Sequence, residues 1–180
     1  MCNEKVDFKK FYEKYKELVF NLALNYTANK EDAEEIAQDV FVTVFKKLES
    51  FRYESKIETW IYRITINKSL DYLRSKKRLK NKFLSNLLFF NNKDGIDEGV
   101  NFNHPGVEFE NKESVQIIYK CLDKLPNNYK TVIVLLKIEG EPQKKVAEIM
   151  NISEKAVESL FFRAKLKLKD LLENKKDILK

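Results

Sequence analysis

The sequence has few residues of the types that end helices or bind metals. Its 180 residues include four glycines, three prolines, two cysteines and one histidine. Scarce glycine and proline disfavour short strands joined by tight turns and favour helices. Cys2 and Cys121 form no spaced pair, and His104 is alone, so no metal-ligand set is present. We therefore expect neither a metal nor another cofactor.

Long apolar runs are also missing, since none approaches the ~20 residues that a transmembrane helix needs. The N-terminus is charged and shows no apolar signal segment, and the cysteines show no disulfide pattern. These absences predict a cytoplasmic protein. Charge, by contrast, is abundant: 34% of residues are charged, and the net charge is +6. This excess of Lys and Arg favours a polyanionic partner such as nucleic acid.

Apolar residues recur at steps of three and four, which predicts helices over about 8–26, 30–49 and 58–80, and again from 113 onward. Between these groups, the chain is rich in Asn, Gly and acidic residues and has no sustained period. The predicted fold class is all-α, with two small helical domains at 1–80 and 113–180 joined by a flexible linker at 81–112. One apolar segment, FLSNLLFF, lies inside that linker.

The C-terminal helices follow the outline of a helix-turn-helix: a helix, the short connection NIS, and a longer helix with Ser153 as its N-cap. Val157, Leu160 and Ala164 fall on one face of the long helix and predict its buried side. The opposite side carries a large aromatic residue among polar ones, as a helix inserted in the DNA major groove can. The predicted DNA-reading residues are Lys155, Ser159, Phe162 and Arg163.

The helix at 58–80 carries a polar band that includes Asn67, Asp71 and Arg74. Asp71 and Arg74 can pair at a spacing of three, and we expect this pair to brace the helix within its domain. Asn67, near Trp60, could read the edge of an unstacked base that aromatic rings help to hold. We predict that this helix and the loop before it contact single-stranded DNA. The predicted contacts to bases are Phe51, Arg52, Ser55, Lys56, Trp60 and Asn67, and a basic tail of Lys76, Lys77 and Arg78 would contact phosphates.

Three other interpretations of these residues remain open. A nuclease could use the carboxylates Glu31, Asp32, Glu34, Glu35 and Asp39 to bind metal, although acidic residues in a first helical turn explain most of that cluster. A two-domain regulator could bind only duplex DNA, which would leave the aromatic loop and Asn67 without a role. A module that binds only proteins would have no use for the basic tail.

Four segments occur in an order that resembles a known family: DAEEIAQDVFVTVFKKLESF, TWIYRITINKSLDYLR, LPNNYKTVIVL and VAEIMNISEKAVESLFFRAK. Together they resemble the extracytoplasmic-function (ECF) class of bacterial RNA polymerase sigma factors. The resemblance implies a non-enzymatic protein with two domains, region two and region four. Region two would bind the clamp of the largest polymerase subunit and open the minus-ten promoter element. Region four would read the minus-thirty-five element as duplex and contact the flap of the second-largest subunit.

The resemblance also implies roles for individual positions. Residues from Phe51 to Lys56 match the loop that holds a flipped base, with Asn67 beside it, and Ser159, Phe162 and Arg163 match duplex-reading positions. The implied polymerase-binding residues are Glu35, Gln38, Asp39 and Phe41. Members are often held by a membrane-bound anti-sigma factor, so such a partner is possible here. The linker would pass near the polymerase active-site cleft.

Overall fold

The computed structural model describes residues 7–51, 55–90 and 112–176, and every regular element within these ranges is helical. The elements are α1 (Phe8–Thr27), α2 (Lys30–Lys47) with a 3₁₀ turn at Leu48–Ser50, α3 (Ile57–Phe90), α4 (Lys112–Leu122), α5 (Asn127–Ile133) continued by a π-helical turn at Val134–Ile138, α6 (Gln143–Met150) and α7 (Glu154–Lys176). The predicted all-α class is confirmed.

The break between α1 and α2 follows from its local sequence, TANKED. Ala28 ends α1 in the left-handed conformation, with φ of 54°. Asn29 then caps α2, because its side chain accepts a hydrogen bond from the backbone N–H of Asp32 at 2.8 Å. Glu31 and Asp32 occupy the first turn, where the helix dipole favours acidic groups.

Helices α1, α2 and α3 enclose the core of the N-terminal domain. The segment VFVTVF in α2 has strand-like composition, but it stays helical because Val40 and Val44, four residues apart, are both fully buried. Val19 of α1 and Ile61 of α3 are also completely buried in this cluster. The predicted stripe on α2 is therefore the side that packs.

Helix α3 is longer than its sequence suggested. It continues to Phe90, whereas we predicted an end near residue 80. The first glycine after Ile57 is Gly95, and no proline comes before it, so nothing in the chain forces the helix to stop earlier. The apolar segment at 83–90 therefore forms the last turns of α3. The rest of the predicted linker, from 91 to 111, lies outside the described residues.

The C-terminal domain contains the predicted helix-turn-helix in α6 and α7. Asn151 ends α6 with a left-handed φ of 55°, and Ser153 Oγ accepts the backbone N–H of Ala156 at 3.2 Å, which confirms Ser153 as N-cap. Ahead of α6, Gly140 takes φ of 69°, a conformation that strains any residue with a side chain. This glycine lets the chain leave the π-helical turn and enter α6.

The core of the C-terminal domain is not closed by that domain alone. Leu122, Val146 and Val157 lie in one apolar cluster with Leu22 of α1 and Ile66 of α3. Helix α6 packs on α3, and the π-helical turn packs on α1. The two domains are therefore in direct contact along one side of α1 and α3.

In the ranges that the structure describes, no helix combines the length and the apolar character needed to cross a bilayer.

Candidate functional site

The outer face of α7 is composed as the sequence predicted. Lys155, Ser159 and Arg163 are exposed, and Phe162 leaves 62% of its surface in solvent. Val157 and Ala164, on the opposite side, are completely buried. An isolated aromatic ring held in water forgoes apolar burial worth ~2 kcal/mol. The helix thus presents Lys and Arg side chains together with exposed apolar groups, Phe162 and Leu166, which suits phosphates and a thymine methyl group.

Phe51 and Trp60 are brought together at the start of α3, with ring centroids 5.0 Å apart. Ser55 is half-buried, and Lys56 is exposed. Arg52, predicted in the same loop, lies outside the described residues. Phe51 and the indole thus form one aromatic patch.

Asn67 lies two helical turns beyond Trp60, about 10 Å along the axis of α3. Its side chain is exposed, and its amide makes no hydrogen bond within the described part of the chain. A free amide offers both a donor and an acceptor, which is what recognition of a base edge requires. Helix α3 therefore presents an available reading group near the aromatic patch.

The pair formed by Asp71 and Arg74 is confirmed, but the role we predicted for it is wrong. Arg74 Nη1 donates to Asp71 Oδ1 at 2.8 Å, and both side chains are more than half exposed. The pair connects α3 to no other helix among the described contacts. Since exposed ion pairs stabilise a fold only slightly, it does not brace the domain.

The basic tail of α3 divides into two parts. Lys76 points toward α2, where its Nζ lies 2.5 Å from Asp32 Oδ2. Tyr72 joins this contact by donating to Asp32 at 2.8 Å and to Glu35 at 3.3 Å. Burial, followed by these carboxylates, raises the pKa of Tyr72 well above its usual value. All three residues are exposed, but Lys77 and Arg78 form no ion pair among the described residues.

An apolar groove of about 830 Å³ lies between α1 and α2. Its sides include Val42, 52% exposed, and Phe45, 65% exposed, whose ring meets Phe8 edge-on at a centroid distance of 5.1 Å. Phe41 is only 8% exposed and packs on Tyr12. Such a concentration of exposed apolar surface is typical of a site that binds another protein.

The sequence-predicted polymerase contacts only partly coincide with this groove. Gln38 and Phe41 line it. Asp39 does not, and its carboxylate lies 3.5 Å from Lys68 Nζ of α3. Val42 and Phe45 were missed, although VFVTVF holds more apolar residues than one buried stripe can use. That surplus was the available signal.

A helix-turn-helix with a cationic outer face, attached to a domain with an aromatic patch, defines a helical DNA-binding protein. The comparisons with known proteins are more specific. Residues 11–79 match the family Sigma-70 region 2, and residues 115–168 match the family Sigma-70, region 4.

Curated relatives extend the match over most of the chain. The ECF RNA polymerase sigma factor SigW of Bacillus subtilis (strain 168) is 30% identical, covering 89% of this chain and 86% of SigW. The ECF RNA polymerase sigma-E factor of Haemophilus influenzae (strain ATCC 51907 / DSM 11121 / KW20 / Rd) is 29% identical, covering 96% of this chain and 88% of that protein. The chain belongs to the extracytoplasmic-function subfamily of bacterial RNA polymerase sigma factors.

A solved structure shares the fold. It is the co-crystal structure of the sigma factor RpoE with the anti-sigma factor NepR from Bartonella quintana. The TM-score is 0.58 at 19% identity, and the match covers 93% of this chain and 97% of that one. The predicted family is confirmed: the protein directs RNA polymerase to promoters, its partners are the polymerase and promoter DNA, and it is a non-enzymatic initiation factor.

Proposed function

We propose that the two halves of this sigma factor divide its work. Residues 1–80 bind the clamp of the largest polymerase subunit and open the minus-ten element. Residues 113–180 read the minus-thirty-five element as duplex and contact the flap of the second-largest subunit, and residues 81–112 connect them. The observation that carries this proposal is the exposed amide of Asn67, which has no hydrogen-bond partner among the described residues and lies on the same helix as Trp60 of the aromatic patch.

The minus-ten surface extends along α3. Phe51 and Trp60 offer aromatic faces on which an extruded base can stack, a contact worth ~1–3 kcal/mol per base. Asn67 reads the edge of that base, and the exposed Lys56, Lys77 and Arg78 contact the phosphates of the melted strand. We assign Ser55 and Arg52 to the same minus-ten surface because they lie in the same loop of the sequence. Lys76 contributes less, since Asp32 already neutralises it.

The minus-thirty-five surface is the outer face of α7. Lys155 and Arg163 bind phosphates or guanine edges, Ser159 donates a hydrogen bond, and Phe162 contacts a thymine methyl group. Exposure of all four side chains supports this assignment. Glu158, also exposed on this side, can accept a hydrogen bond from a cytosine amino group.

The polymerase clamp binds the groove between α1 and α2. Val42 and Phe45 supply exposed apolar surface, and Gln38 supplies a polar contact beside Phe41. Glu35 and Asp39 are exposed on the same helix but face α3, where they contact Tyr72 and Lys68, and we assign them acidic contacts with the clamp beside the groove. Interfaces of this kind gain most of their affinity from a few buried aromatic side chains.

An anti-sigma factor is a further proposed partner, because the structurally similar RpoE was solved in complex with the anti-sigma factor NepR. We also place the protein in the cytoplasm, where bacterial RNA polymerase and the chromosome are found. Neither assignment depends on a particular residue of this chain.

The decisive experiment mixes the full chain with sigma-free core polymerase and a library of promoter sequences. We expect a stable holoenzyme that starts transcription from a specific subset of those sequences. Binding to duplex DNA without any association with core polymerase would instead indicate a two-domain regulator that binds only duplex DNA and does not melt the promoter. Magnesium-dependent cleavage of the DNA would indicate a nuclease.

A further inference from the structure

The end of α3 extends past the core of the N-terminal domain. Earlier residues of this helix, such as Ile61 and Ile66, are buried, whereas every residue from 77 to 83 is exposed. The helix nevertheless continues to Phe90, and we call residues 77–90 the α3 arm. Since short helices owe most of their stability to packing, an exposed arm that stays helical is a surface available to a partner.

Two large apolar side chains are exposed on the α3 arm. Leu79 leaves 69% of its surface in solvent, and Phe83 leaves 63%. They are four residues apart, one turn or about 6 Å along the axis, so they lie on the same side of the helix. In the sequence, Leu87 and Phe90 continue this spacing at steps of four and three. Exposed apolar residues in such a row are typical of a binding surface.

Positive charge accompanies this apolar pair. The segment from residue 72 to residue 92 contains no aspartate or glutamate. The cations within the arm are Lys77, Arg78, Lys80 and Lys82, and all of them are exposed. The aliphatic stem of a lysine or arginine can lie against an apolar surface while its charged end reaches a polar layer. The arm therefore suits a partner that is both anionic and apolar.

These two features together favour one class of partner. Nucleic acid would satisfy the cations, but its phosphate backbone offers no apolar surface to Leu79 and Phe83. A second copy of the chain would bring the same cations against these, and like charges repel. A bilayer that contains anionic lipids offers negative headgroups above an apolar layer, which matches both features of a helix lying on it.

We propose that the α3 arm binds the surface of an anionic lipid bilayer and lies on it without crossing it. Leu79 and Phe83 enter the boundary between headgroups and acyl chains, while Lys80 and Lys82 contact lipid phosphates. Each lysine or arginine near such a surface strengthens binding about fivefold. This inference goes beyond the proposed function, which gives Leu79 and Phe83 no role.

Sedimentation of the full chain with lipid vesicles tests the proposal. One set of vesicles is an equal mixture of phosphatidylglycerol and phosphatidylcholine, and the other is phosphatidylcholine alone. We expect binding to the anionic vesicles to be stronger by about tenfold or more, and to weaken as the salt concentration rises. No binding to the anionic vesicles, or equal binding to both sets, would overturn the proposal.

Phe83→Ala measures the apolar contribution, with Phe45→Ala as its matched control. Phe45 is 65% exposed, almost the same as Phe83, but it lies on α2. Loss of an inserted phenylalanine side chain should weaken binding to the anionic vesicles about tenfold, because its apolar burial is no longer gained. We expect unchanged vesicle binding for Phe45→Ala, and circular dichroism should show the same helicity in both variants.

Lys80→Gln measures the charge contribution on the same surface. Removing this charge should weaken binding about fivefold at low salt and much less at high salt, because salt screens exposed charges. Equal affinity of Lys80→Gln and wild type at every salt concentration would contradict a contact between this lysine and lipid phosphates.

Three other results would contradict the assignment to lipid. Equal vesicle binding by Phe83→Ala and wild type would mean that charge alone adsorbs the chain. Equal losses in Phe83→Ala and Phe45→Ala would mean that the α3 arm is not the contact. A loss of affinity for single-stranded DNA in Phe83→Ala, with vesicle binding unchanged, would indicate a nucleic-acid surface instead.

Discussion

Phe45 offers a sharp test of the clamp-binding groove, because its side chain is mostly in solvent before any partner arrives. It is 65% exposed, and its main described contact is the edge-on approach of Phe8 at 5.1 Å. Full burial of a phenylalanine side chain is worth ~2.5 kcal/mol, so the buried third contributes about 0.9 kcal/mol to the free chain. The aromatic pair adds roughly 0.5–1.5 kcal/mol. Phe45→Ala should therefore fold normally with a modest loss of stability.

Binding to polymerase should suffer more than folding. If the clamp covers the remaining two-thirds of the ring, truncation removes about 1.6 kcal/mol of apolar burial, which is ~15-fold in Kd. The assay is competition between labelled wild-type chain and unlabelled variant for sigma-free core polymerase, followed by fluorescence anisotropy. Thermal unfolding of each variant measures the loss that arises from folding alone.

Leu79→Ala is the matched control, since Leu79 is 69% exposed on α3 and lies outside the groove. We expect its Kd for core polymerase to remain within about twofold of wild type, because no surface of the complex loses apolar burial. An unchanged Kd for Phe45→Ala, or an equal loss for both variants, would refute the assignment of the groove to the clamp.

Three further predictions concern α3 and the domain contact. Asn67→Ala should reduce minus-ten selectivity or melting by about 5- to 150-fold while core binding stays intact, as measured by permanganate footprinting and anisotropy, since a base-edge contact is worth ~1–3 kcal/mol. Ser69→Ala should raise the free energy of unfolding by about 1 kcal/mol, or roughly 2–4 °C in Tm, because Ser69 Oγ is buried without a hydrogen-bond partner among the described residues. Unfolding in urea should become easier as pH rises from 10 toward 12: burial raises the pKa of Tyr62, and raises that of Tyr119 to about 12, so the unfolded state ionises first. A stability that stays flat over that range would contradict the burial of these phenols.

Much of the fold could be predicted because helical packing leaves a periodic trace. Val40 and Val44 are four residues apart and buried on one side of α2. Val157 and Ala164 are seven residues apart and buried on one side of α7. Ser153 and Asn29 could be recognised as caps because capping depends on neighbours only two or three residues away. The end of α3 was missed because residues 81–90 contain no glycine or proline and so carry no stop signal.

The candidate sites were only partly predictable for a related reason. The pairing of Asp71 with Arg74 depends only on their spacing along one helix, and it was predicted correctly. Their exposure depends on helices elsewhere in the chain. Arg63 binds backbone carbonyls that are 85 and 86 residues away, and carbonyls are present in every residue. No sequence pattern marks such an acceptor, so the domain contact had to be seen in three dimensions.

The composition of that contact bears on whether it can open. A permanent core is apolar, as in the cluster around Val19 and Ile61, and exposing it to water would be costly. The contact between the domains instead combines Leu22 and Ile66 with charged and polar groups: Arg63, Lys130, Glu139, Glu141 and Lys145. When the domains separate, water can solvate each of these groups again, which offsets part of the interactions that are lost. Burial raises the pKa of Glu139, so its carboxylate gains solvation on release. Interfaces within one chain that mix apolar and charged residues in this way resemble transient protein–protein interfaces, so we expect the two domains to be able to move relative to one another.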